Sequence, residues 1–186
     1  MTANLRHVLC AAVSLAFATG SVYAQQVATI EEAAQINGGL ALQLCIMPGV
    51  EGPQTAAMFR QAGFSESVER SSENSDTTHT FTDPSQSVRV ELYYGETPLF
   101  CSVTSDYMGV SIASGVVDQV VPRLYPGYVR KIETGPTDPE TGQPAQCVRY
   151  EDPTNPIGYM VGVAPADGAQ GCIGNGTSTV YFTARV

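Results

Sequence analysis

Past Phe64 the apolar residues of this chain change their period from helical spacing to alternation, and the alternating segments are short and cut apart by turns. Val88, Val90 and Leu92 alternate with Arg89, Glu91 and Tyr93, the pattern of a half-buried strand. Gly95-Glu96-Thr97-Pro98 then turns the chain into Leu99, Cys101 and Val103, which predicts a hairpin. Residues 64–70, 77–82, 128–133, 146–151, 159–164 and 179–185 supply further strands. They are joined by segments such as Gly135-Pro136-Thr137-Asp138-Pro139 and Asp152-Pro153-Thr154-Asn155-Pro156. Connections this short join antiparallel neighbours, because a parallel crossover needs a dozen residues or more.

Helical spacing occupies three places. Thr29-Ile30-Glu31-Glu32 reads as a capping box, and Ile30, Ala33, Ala34, Leu40, Ala41, Leu44 and Cys45 follow near one face. Gly38-Gly39 weakens that helix and Pro48-Gly49 ends it. A second helix starts with Pro53 at its first position and stops at Gly63, with Ala56, Phe59 and Ala62 inward and Phe64 packing back. In the third, spanning 106–121, Ile112, Val116 and Val120 form one row and Ala113, Val117 and Val121 the next. Ser105 or Asp106 is its expected cap, and Pro122 kinks or ends it. The expectation is an α+β fold in one domain, with a mainly antiparallel sheet of about six to eight strands and two to three helices packed on it.

The N-terminus sets the compartment. Arg6 without a nearby acid, an apolar run from Val8 to Phe17 and a small-residue exit ending at Ala24 predict a cleaved secretory signal peptide over 1–24, with 25–186 as the expected mature domain. Thr19, Gly20 and Ser21 interrupt the run before it reaches the roughly 20 apolar residues that span a bilayer. Cys10 follows Leu9 inside the apolar core, which does not suit lipid attachment, so no membrane anchor is expected after cleavage. The whole chain carries a net charge of −9, and losing Arg6 makes the mature protein more acidic still. That balance argues against nucleic acid and anionic membrane as partners, since both require clustered Lys and Arg.

Four cysteines remain after the leader: Cys45, Cys101, Cys147 and Cys172. An oxidising compartment favours two disulfides, and four cysteines allow three pairings. If 146–151 pairs with 159–164, the loop after Ala164 begins beside Cys147 and contains Cys172. Cys147–Cys172 is then the natural bond, leaving Cys45–Cys101 to tie the first helix to the sheet.

Chemistry-bearing motifs are sparse. The mature domain has one histidine, His79, in a Thr-rich segment, which would serve a hydrolase as general base only beside an acid and a hydroxyl. Ser-Ile-Ala-Ser-Gly at 111–115 is no nucleophile elbow. Asp138 and Glu140 share a turn without calcium-loop spacing, and the cysteines lack C-x-x-C spacing, so no metal and no cofactor is expected. Gly171-Cys172-Ile173-Gly174-Asn175-Gly176 lacks the Lys-Ser/Thr of a phosphate loop, while Asn175-Gly176-Thr177 fits the glycosylation triplet. The one interaction lead is Tyr125, Tyr128, Arg130 and Lys131, with Tyr93, Tyr94 and Tyr107 as possible neighbours, because Tyr and Arg are favoured at interfaces. Together these features point to an exported, non-catalytic binding or interaction module in a periplasm or outside the cell. Its expected partner is another envelope or secreted protein. The alternatives are a small secreted hydrolase using His79 and an envelope-associated structural protein.

Overall fold

The computed structural model describes residues 29–70, 77–95, 99–139, 142–166, 172–173 and 176–185. The leader, Glu140, Gly171, Gly174 and Asn175 lie outside the described residues. In chain order the elements are α1 (Ile30–Cys45), α2 (Gly52–Gln61), β1 (Ser65–Arg70), β2 (Thr77–Thr82), β3 (Arg89–Tyr94) and β4 (Phe100–Ser105). Then follow α3 (Val110–Leu124), β5 (Val129–Thr137), β6 (Pro144–Glu151), β7 (Tyr159–Ala164) and β8 (Ser178–Ala184). The strands form one sheet in the order β1-β2-β3-β4-β8-β7-β6-β5, antiparallel at every step, so the fold is α+β with a mainly antiparallel sheet.

Alternation divides the sheet into two chemically distinct faces. His79, Phe81, Val90, Leu92, Cys101, Val103, Tyr150, Val161, Val163, Val180 and Phe182 are buried under the helices. α2 lies on β3, α1 on β4, and α3 on β6, β7 and β8. The other face carries Thr78, Thr80, Arg89, Glu91, Thr104 and Thr179, and further across Lys131, Glu133, Arg149 and Glu151. Both edge strands, β1 and β5, are mostly exposed and polar; β5 also holds Pro136 and a register shift between Thr134 and Thr137. Charge, proline and irregular register each discourage pairing with a second sheet.

The helix ends follow local rules where local groups are free to act. The Thr29 hydroxyl accepts from the Glu32 amide at 3.2 Å, and a Glu32 carboxylate oxygen accepts from the Thr29 amide at 3.0 Å. Behind α2, Gly63 adopts φ +87°, its amide bonds to the Arg60 carbonyl and the Phe64 amide to the Phe59 carbonyl. This is a Schellman closure, sealed by the edge-on contact of Phe64 with Phe59 at 5.2 Å. Phe59 in turn stacks on Phe81 at 4.8 Å, seating α2 on the sheet.

α3 departs from expectation at both ends. It begins at Val110, with Gly109 as N-cap and no side-chain cap. The Ser105 hydroxyl is committed elsewhere, donating to the Ser87 carbonyl at 2.8 Å and accepting from the Tyr107 amide. The intervening residues bring Met108 into the core, fully buried. A Cβ on Gly38 would sit 3.1 Å from the Met108 methyl, so Gly38 lets this residue approach α1, which runs on uninterrupted through the Gly38-Gly39 pair. Pro122 lies within the last turn, and the helix continues to Leu124. Of the two apolar rows, Ala113, Val117 and Val121 are fully buried, whereas Ile112 is 42% exposed.

The structure joins Cys45 to Cys101 across 56 residues and Cys147 to Cys172 across 25. Loop closure in the unfolded chain sets their contributions at about 4 and about 3.5 kcal/mol. Replacing Cys45 and Cys101 together by Ala is therefore expected to lower the unfolding free energy by about 2–4 kcal/mol in a urea titration.

A buried carboxylate organises the turn between β2 and β3. Asp83 accepts from the Val88 amide at 2.7 Å, the Ser85 amide at 2.8 Å and the Asn37 side chain of α1 at 2.9 Å, with the Ser85 and Ser87 hydroxyls completing its shell. Burial pushes the Asp83 carboxyl up, but the bonds from Ser85, Val88 and Ser87 outweigh it and hold it below its ordinary value. A depressed carboxyl stabilises the fold above its unfolded pKa, and that contribution is lost as pH falls through the folded one. Asp83→Asn presents an amide where only acceptors fit. It is expected to cost about 1–3 kcal/mol at neutral pH and to flatten the loss of stability between pH ~5 and ~2, both read from urea unfolding.

Candidate functional site

Between the end of α1 and the start of α2 the chain makes a tight loop, with Gly49 at φ +73° and the Val50 amide bonded to the Met47 carbonyl. α2 then begins at Gly52, so close to the sheet that a Cβ there would lie 2.3 Å from the ring of Tyr94. Only glycine permits this approach. The loop forms one wall of a cleft of about 610 Å³, within the range of small-molecule sites. Met47, Val50, Glu51, Tyr94, Leu99, Tyr125, Tyr159 and Phe182 line it, together with the buried Cys45.

The aromatic lining is held in place by its neighbours. Tyr159 stacks on Phe182 at 4.6 Å, and Tyr125 meets Tyr128 at 4.7 Å. Burial, reinforced by Tyr128 and Tyr159, pushes the Tyr125 phenol up to about 12, so its hydroxyl stays protonated at any physiological pH. Glu51 forms no ion pair with any described residue, and no Lys, Arg or His lines the cleft among the described residues.

Behind the Tyr94 wall runs a chain of polar contacts. The Tyr94 hydroxyl bonds to His79 Nε2 at 2.8 Å, and His79 Nδ1 to Glu66 at 2.6 Å. Arg60 of α2 grips both oxygens of Glu66, at 2.6 and 2.9 Å. The Arg60 bond holds the Glu66 carboxyl below its usual range against the cost of burial, with His79 adding to the effect. An ionised carboxylate only accepts, so the proton of this contact belongs to His79 Nδ1, and in a neutral ring Nε2 accepts the Tyr94 O–H.

An acid and a hydroxyl do stand beside His79, which is what the hydrolase alternative required. The hydroxyl is a phenol, however, and burial raises it above the ordinary tyrosine value. His79 is 6% exposed, lies flat against Tyr94 at 5.0 Å, has both nitrogens engaged, and is not among the residues lining the cleft. This geometry suits a brace that fixes Tyr94. His79→Ala is expected to lower stability by about 2–4 kcal/mol in urea unfolding, through the lost ring and the orphaned phenol; unchanged stability would count against a bracing role.

The residues singled out from sequence scatter. Tyr125 lines the cleft and Tyr128 is in contact with it. Arg130 points to the helix side, where it makes a two-bond pair with Asp118 (2.8 and 3.1 Å) that also receives the Tyr150 hydroxyl. Lys131, one residue on, points to the open face and pairs with Glu151, which also contacts Arg149 and Arg185. These four residues therefore do not form one patch; strand alternation divides them. Tyr94 joins the cleft, while Tyr107 lines a different depression at the far end of β3 and β4. Met47, Val50, Glu51, Leu99, Tyr159 and Phe182 were not singled out; they come from separate segments and share no linear pattern.

In the Asp138 turn, the Asp138 amide bonds to the Gln143 carbonyl and the Gly142 amide to the Asp138 carbonyl. Among the described residues no group of His, Cys, Asp and Glu is placed to hold a metal ion, and no described helix is long and apolar enough to cross a membrane. No protein-family model, no curated protein and no solved structure matches this chain.

Proposed function

We propose that this chain is an exported, non-catalytic binding protein of a periplasm or the extracellular space, and that it recognises its ligand in the cleft between the α1–α2 loop and the Tyr125–Tyr159–Phe182 wall. The observation that carries the reading is that cleft: about 610 Å³ of concave, largely apolar and aromatic surface, with few polar groups. The signal-like N-terminus and the two disulfides support the location. The space suits a small molecule, or one anchoring side chain of a secreted partner. A ligand-observed NMR screen of the mature protein is expected to give binders that perturb Tyr125 and Tyr159, and Tyr125→Ala is expected to weaken them by about tenfold or more. Binders indifferent to that substitution, or none at all, would sink the reading.

A hydrolase using His79 remains the second reading, favoured by the Glu66–His79–Tyr94 contacts. Ester hydrolysis by the purified protein that disappears in a folded His79→Gln variant would decide in its favour.

A further inference from the structure

Resting on that binding reading, we infer that the cleft takes an organic cation, a quaternary ammonium group, held against aromatic rings with Glu51 at its mouth. The lining selects by charge. Among its described residues Glu51 is the single ionisable group charged at neutral pH, since Tyr94 and Tyr125 are raised above the ordinary tyrosine value by burial and stay neutral. An anion entering here would find no Lys, Arg or His and would meet the field of a chain whose net charge is −9. A cation meets the reverse: a favourable long-range field, the exposed Glu51 carboxylate in the capping box of α2, and the rings of Tyr94, Tyr125 and Tyr159, the last backed by Phe182.

Aromatic rings attract cations through the negative potential of their faces, and the attraction grows when water is displaced. The ring positions are fixed before any ligand arrives. Gly52 closes on Tyr94, whose hydroxyl is tethered to His79, and Tyr159 is stacked on a Phe182 that is only 4% exposed. Preorganisation of this kind lowers the ordering cost of binding. The type of cation follows from the shortage of acceptors. A primary ammonium carries three donors and strong hydration, and it requires carboxylates or carbonyls on several sides. A quaternary ammonium has no N–H to satisfy and exposes only methyl or methylene surface, which matches an apolar, ring-lined wall with one carboxylate at its edge.

The test compares choline with dimethylbutanol, its neutral carbon isostere, by calorimetry and NMR on the oxidised mature protein. Choline is expected to bind at least about tenfold more tightly than the isostere, with affinity falling as salt rises. Glu51→Gln, at an exposed position, is expected to weaken choline several-fold, and Tyr159→Leu about tenfold, without weakening the isostere as much. Equal affinity for the two probes would overturn the cation preference and leave the binding reading standing. If neither probe binds while hits from the broader screen still occupy the cleft, this inference alone fails. If neither probe binds and no screened compound reaches the cleft, both fail together.

Discussion

Val180 and Phe182 of β8 pair with Val103 and Cys101 on one side and with Val163 and Val161 on the other. Each flank is built from neighbours in sequence, β1 to β4 on one side and β5 to β7 on the other, and each would end in an open, largely apolar edge. β8 satisfies both edges at once, converting two meanders into a single surface on which three helices can lie. The rest of the structure depends on this insertion. α3 packs on β8, β7 and β6, α1 packs on both β4 and α3, and the buried side chains form one continuous cluster across the seam. Because Cys101 opposes Phe182 in register, the contacts that unite the core join residues far apart in sequence, the kind of contact that folds slowly.

Among the described residues, the carboxylates drawn into this frame are each met by donors or cations. Asp83 is ringed by donors, Glu66 is shared between Arg60 and His79, and Asp118 receives Arg130 and Tyr150. On the open face, Glu151 is buried among Lys131, Arg149 and Arg185, and its carboxyl is held low by the Lys131 bond against desolvation. These clusters fix orientation more than they supply free energy, since desolvation offsets much of their attraction. Their directional bonds pin particular turns and rings, Tyr94 among them.

Where a structural signal is local, the sequence carries it. The Thr29 capping box, the Gly63–Phe64 closure and the 88–103 hairpin are each set by residues within a few positions of one another. The disulfide pairing was also legible, because it follows from the antiparallel pairing of β6 with β7. The start of α3 was not: Ser105 is drawn off by Ser87, eighteen residues upstream, and Met108 is needed in the core. The cleft was legible only through Tyr125 and Tyr94, since its other lining residues come from segments that the folded sheet and the α1–α2 loop bring together. The grouping of Arg130 with Lys131 overlooked the two-residue period of a strand, a signal that was available in the sequence.

Cys45 has two roles at once: it lines the cleft and is one end of the bond to Cys101. The loop that follows it, carrying Met47, Val50 and Glu51, is thus anchored covalently to β4 at Cys101, two residues after Leu99, which also lines the cleft. The shape of the cleft is therefore coupled to thiol chemistry. In a reducing milieu the loop would be held by packing alone and its walls would be less closely defined. A ligand that needs this cleft's shape would therefore distinguish the oxidised chain from the reduced one.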